Sequence, residues 1–244
     1  MFFKKNKELV LNFYTDHNGA YNFFKPKESK HFWPEWWKKL PRIIEDDIPR
    51  STMKTCDGFV RLYKNSLIIP LWSDLFVEIY KDENHQGGYN YQFADQISSA
   101  VHHNREQFVD FLPGSVHLKI HNPWLITCDE EVNFLIMAPF WNHPNNTNLV
   151  ICPGMVEFKY QVHCHINTFF LFNGDRSTFT IEAGSPITQI IPITERPVVI
   201  KHHLLSRQEM LNLHHRTYSN SFFVHNYKRI KKIIQKEKLE CPMK

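Results

Sequence analysis

Apolar and polar residues alternate in several short windows of this chain, and a period of two predicts β-strands. The longest window, residues 155–167, puts Val156, Phe158, Tyr160, Val162, Cys164 and Ile166 on one face. Glu157, Lys159, Gln161, His163, His165 and Asn167 fall on the other. The expectation is one continuous strand with a dry face and a histidine-bearing face. Residues 115–127 repeat the pattern, with Val116, Leu118 and Ile120 opposed to His117, Lys119 and His121, before a bend at Asn122-Pro123. Residues 9–14, 177–181 and 187–193 read as further strands, and 132–140 as an apolar run suited to a central one. Residues 66–80 read as two strands broken at Pro70, the second with bulk on both faces and so burial on both sides.

Other windows punctuate the strands. Residues 31–41 are rich in Trp, with Pro34 able to open a helical turn and Pro41 able to stop it. Trp33 and Trp37, four apart, share a face, which suggests a short helical plug packed on the sheet, with a ligand-stacking platform as the alternative. Gly87-Gly88 marks a turn within 82–89, and residues 93–111 carry apolar positions (Phe93, Ile97, Val101, Phe108) near helical spacing. Ser206 and Glu209 form a capping-box signature, which predicts a helix to about residue 218, followed by a basic one over 223–238. The fold class expected is mainly β. It is a single sandwich, jelly roll or β-clip-like barrel over 1–205, with a short N-terminal Trp-rich helix and a C-terminal extension of two helices over 206–244 packed on it.

Composition narrows the function classes. A net charge of +4 points away from nucleic acid as a partner, and the basic cluster at Lys228, Arg229, Lys231, Lys232, Lys236 and Lys238 reads as a solvated helix face, with contact to phosphate or an acidic partner as the alternative. The 5 Cys are widely spaced with no Cys-x-x-Cys, which fits free thiols in a reducing cytoplasm. No apolar run approaches the ~20 residues of a membrane span, and the first residues lack the order of a signal peptide. A cytoplasmic protein without a membrane partner is therefore expected.

Two kinds of chemistry can be weighed from the residues. His163 and His165, two apart on a strand, project to one side, and such a pair can begin a 2-His-1-carboxylate metal site. Glu157, Glu182 or Asp175 could supply the oxygen and His202 or His203 the third nitrogen, which gives His163, His165 and His202 as the metal set of a cupin-like or Fe(II)-dependent oxygenase-like enzyme. Without a metal, the same polar face is a ligand site, with Glu157, His163, His165 and Gln189 as its binding residues and no cofactor. Nucleophilic catalysis has little support: there is no Gly-x-Ser-x-Gly, and Cys164 belongs to the dry face. Glycine-rich phosphate loops are absent.

Pro153-Gly-Met-Val-Glu157 and Ala183-Gly-Ser-Pro-Ile-Thr-Gln189-Ile-Ile-Pro192 resemble the C-terminal half of dUTPases and dCTP deaminases, over about one-sixth of the chain. That resemblance implies a β-clip barrel and aligns Glu157 with the catalytic Asp position. A wider pattern is similar to a protein family of tailed phages, including marine and cyanobacterial ones, that carries no assigned activity. It comprises Trp36-Trp37-Lys-Lys-Leu-Pro41, Met53-Lys-Thr-Cys56-x-Gly58, Ile69-Pro-Leu-Trp72-Ser-Asp74, Asn122-Pro-Trp-Leu-Ile126 and Gly184 to Pro192. It implies a phage-encoded accessory protein of the host bacterial cytoplasm. Such a protein would be non-catalytic and would bind a small molecule, a nucleotide, or a phage or host protein through the polar face. A virion structural component is the other implication.

Overall fold

The computed structural model describes residues 8–81, 87–103, 107, 115–142, 149–171 and 174–215. Its strands, in chain order, are β1 (Leu9–Thr15), β2 (Lys27–Glu28), β3 (Ile43–Ile44), β4 (Arg50–Ser51), β5 (Leu67–Pro70), β6 (Leu75–Lys81), β7 (Gly87–Phe93), β8 (Ala100–His102), β9 (Ser115–Ile120), β10 (Leu125–Thr127), β11 (Phe134–Met137), β12 (Leu149–Ile151), β13 (Gly154–Val156), β14 (Ile166–Leu171), β15 (Arg176–Ile181), β16 (Pro186–Pro192) and β17 (Val198–Leu204). The α-helices are α1 (Asn18–Phe23), α2 (Glu35–Lys39), α3 (Asp57–Lys64) and α4, residues 207–215.

Four sheets surround one apolar core, in the orders β10-β1-β17, β13-β11-β16-β5-β2, β12-β14-β9-β8 and β15-β6-β7, and β3-β4 is a separate hairpin. The arrangement is mainly β and sandwich-like, with no closed barrel among the described residues. Every one of the four sheets sends alternate residues inward. Leu9, Leu11 and Phe13 come from β1, Phe134 and Ile190 from the second sheet, Leu118 and Phe170 from the third, and Leu75, Val77 and Ile79 from the fourth. Burying each such side chain contributes about 1.5–3 kcal/mol. The first and last described strands, β1 and β17, pair in parallel from Leu9↔Val198 to Thr15↔Leu204. Arg196 fixes that entry, donating to both Glu130 carboxylate oxygens at 2.5 and 2.8 Å and to the Glu8 carbonyl at 3.0 Å.

Several expectations change. Residues 155–167 are not one strand. β13 ends at Val156, and the Glu157 carbonyl accepts from the Tyr160 and Gln161 amides at 3.0 and 2.9 Å, which closes a turn before β14. The period survives the break because Phe158, Val162, Cys164 and Ile166 are all buried. Residues 93–103 are not a helix. β7 runs into Phe93, and the Asp95 carboxylate then accepts from the Ile97 and Ser98 amides at 2.8 and 2.6 Å, an Asx turn that leads to β8. β6 is buried on one face only, since Phe76 is 48% exposed. Gly87 and Gly88 lie in β7 rather than in a turn, and a Cβ on Gly88 would stand 2.6 Å from the Tyr80 ring.

The Trp-rich element forms α2 but packs on helices, not on the sheet. Trp33 is stacked between Trp37 (4.0 Å) and Tyr63 of α3 (4.4 Å), and Phe59 touches Trp141 edge-on at 4.9 Å. This is a second, aromatic cluster beside the main core. At the other end, the Ser206 amide donates to the Glu209 carboxylate (2.8 Å) and the Glu209 amide to the Ser206 hydroxyl (3.3 Å), so the capping box starts α4. The basic helix expected over 223–238, with its lysine cluster, lies outside the described residues.

Candidate functional site: a histidine face on one sheet

The site is built by strand register. β9 and β14 are antiparallel, with His117↔Phe169, Lys119↔Asn167 and Ile120↔Ile166. Because side chains two apart share a face, His117, Lys119 and His121 stand beside Asn167 and His165. One step past the ladder, the His121 and His165 rings lie 4.8 Å apart. On the far flank β8 pairs with β9, Val101 opposite Lys119, and the His121 amide donates to the Ser99 carbonyl at 3.0 Å. His163 is held by an antiparallel bridge to Leu125 of β10, while the Ile126 amide donates to the Val162 carbonyl at 2.9 Å. The turn at 158–160 is what brings residues 162–165 to that position.

The rings form a strip. His163 stacks on His165 at 5.2 Å, and His214 from α4 meets His163 at 4.6 Å. At the opposite end His103 meets His117 edge-on at 5.0 Å, and Asn167 hydrogen-bonds His117. Lys119 sits between the two histidine groups, half-buried, and makes no ion pair with any described acid.

Burial sets the protonation of this face. It pushes His163 down to about 4, with the neighbouring His214, Lys119 and His121 acting the same way. It pushes His165 to about 3, aided by His121, His163, Lys119 and His214. His117 goes to about 4 through burial, then His103, partly opposed by the Asn167 hydrogen bond. Burial and Lys119 lower His121 too. Every electrostatic neighbour named is a histidine or Lys119. A carboxylate in contact would have raised these rings instead. At neutral pH His117, His121, His163 and His165 are therefore uncharged imidazoles, each with one N–H and one lone pair, around Lys119.

The residues singled out by sequence separate into different surroundings. His163 and His165 are together. Gln189, in β16 opposite Ile68 and Met137, is 1% exposed and donates to Ser66 Oγ at 2.8 Å, whose hydroxyl in turn reaches Ser29 Oγ at 2.8 Å. It serves an internal polar network. Glu157 lies at the end of β13, where its carbonyl holds the turn. His202 packs against Phe13 (5.8 Å) and Trp124 (5.7 Å), with Nε2 2.8 Å from the Pro26 carbonyl, and His203 stacks on Tyr14 at 4.6 Å. Asp175 pairs with Lys81 at 3.2 Å, and Glu182 is exposed in the turn before β16. The described residues thus do not assemble the facial triad: no three of their His, Cys, Asp or Glu side chains are placed to hold a metal ion. His121, Lys119, His117 and His214 complete the face instead. The first three were visible as the polar half of the 115–121 alternation, but their pairing with 163–167 depends on a register that sequence spacing does not encode.

Other chemistry is weakly supported. Cys164 is buried and its thiol is pushed up to about 12, where it is inert. Ser99 Oγ lies 3.0 Å from His121 Nδ1, but the described groups that act on His121 are Lys119 and His165, so no carboxylate among the described residues orients the imidazole as a base. A groove of about 480 Å³ lies on the β15-β6-β7 sheet, beside Phe76, Thr178 and Thr180. Its one carboxylate, Glu78, is taken by Arg176 and by Asn90 at 2.7 Å.

No known protein-family profile matches this chain, and no curated protein matches it in sequence. Among solved structures it is similar to a mutant dUTPase of Staphylococcus bacteriophage 80alpha with dUpNHpp, at 12% identity and a TM-score of 0.30. The likeness spans 70% of this chain and 82% of that one, and at this TM-score it carries no argument about fold or activity. No helix among the described residues is long and apolar enough to cross a membrane.

Proposed function

We propose that this chain is a non-catalytic, phage-encoded binding protein whose small-molecule site is the histidine face of the β12-β14-β9-β8 sheet. The observation that carries the reading is the convergence of His121, His163, His165 and His214 beside Lys119, where no carboxylate among the described residues orients the Ser99–His121 pair as nucleophile and base. The phage setting rests on the sequence resemblance alone. Neutral imidazoles can donate and accept, so they suit reversible recognition of a polar ligand without a cofactor. A screen of nucleotides, sugar phosphates and amino acids by thermal shift should yield a ligand that stabilises the protein. The double variant His163→Gln/His165→Gln, folded by circular dichroism, should lose that shift. A ligand whose shift survives in the double variant would remove this face from consideration.

A further inference from the structure

We infer that Lys119 and the imidazoles around it form a binding site for a phosphate group, free or carried by a nucleotide. The inference rests on the ligand-site reading above and adds the chemical class of the ligand.

A partly buried lysine keeps its ammonium either in water or against a carboxylate partner, since burying it unpaired is unfavourable. Lys119 has none among the described residues. The strand rows around it add donors rather than acids. Its own row places Asn167 opposite, an amide that already reaches His117. The row above holds His121, His165 and Ser99, whose hydroxyl is 3.0 Å from His121 Nδ1. Beyond it stand His163 and His214. The row below holds His117, with His103 and His102 of the β8 segment acting on it. Among the described residues, the charged groups that act on the four central rings are therefore basic.

A phosphate dianion satisfies this arrangement in two ways. It supplies the counter-charge that Lys119 lacks, and its oxygens accept from several N–H donors at once. A neutral ligand leaves the ammonium unpaired, and a cation adds to the repulsion. Among the described residues no three His, Cys, Asp or Glu side chains are placed to hold a metal ion here.

The test is an NMR titration of the whole chain in a non-coordinating buffer, observing the histidine ring correlations. Inorganic phosphate is one arm, adenosine 5′-monophosphate a second and adenosine a third. Phosphate or the monophosphate should shift the rings of His121, His163 and His165, and adenosine alone should not. A monophosphate that binds more tightly than free phosphate identifies the nucleotide as the source; equal affinities identify the phosphate group alone. Lys119→Gln should weaken binding at least about tenfold, the loss expected for one charge-assisted contact. Lys119→Arg should restore it. Ring shifts with adenosine and none with phosphate would overturn the inference while leaving the face as the site. Silence of these rings to every ligand that stabilises the protein would overturn both. The titration of the unaltered chain decides even if Lys119→Gln fails to fold.

Discussion

Acid should unfold this protein through its histidine face. His117, His163 and His165 are held at about 4, 4 and 3 in the folded chain against a reference of 6.5. The unfolded chain therefore binds more protons than the folded one over this range, and stability falls as pH falls. The contribution is fully present above 6.5 and is lost progressively down to the folded values. At about pH 5 an unfolded ring has gained its proton and a buried one has not, a difference of about 1.5 pH units, or about 2 kcal/mol per ring. Three rings give up to about 6 kcal/mol, against a typical native stability of about 5–15 kcal/mol. Urea unfolding in phosphate-free buffer at about pH 7.5 and 5 measures the loss. His165→Gln, neutral at both pH values, should reduce the pH-dependent part by about 2 kcal/mol. Equal stability at the two pH values, or an unchanged pH dependence in His165→Gln, would refute the reasoning.

Two further perturbations test packing away from the face. Gly88→Ala brings a Cβ within 2.6 Å of the Tyr80 ring and should cost about 1–3 kcal/mol in urea unfolding, with the double variant Gly88→Ala/Tyr80→Ser recovering most of it. Trp33→Ala removes the ring stacked between Trp37 and Tyr63 and should cost about 3 kcal/mol by the same assay, without changing ring shifts of His163 or His165.

How much of this could be read from sequence depends on range. β1 and β15 follow from local alternation, β16 from a largely apolar run, and the capping box at Ser206 from a four-residue pattern. The turn after Glu157 was hidden because Phe158 and Val162 keep the apolar period on both sides of it. Residues 93–111 carry apolar spacing near 3.6, yet Asp95 offers the backbone a competing side-chain acceptor and the chain turns into β8. Gln189 looked like a ligand contact because it interrupts an apolar strand. Its partners Ser66 and Ser29 come from far earlier in the chain, so its structural role could not be seen locally. The histidine face shows the same limit. Both alternating stretches were legible, but the β9–β14 register that joins them, and the reach of His214 to His163, are tertiary facts.

The central claim is that the histidine face is where this protein meets its ligand. The most direct measurement is the ring spectrum of His121, His163 and His165 in the intact chain as a stabilising ligand is added. The account predicts saturable shifts of these rings, with His203, stacked on Tyr14, unmoved. A ligand that stabilises the protein while leaving those three rings unchanged would contradict it.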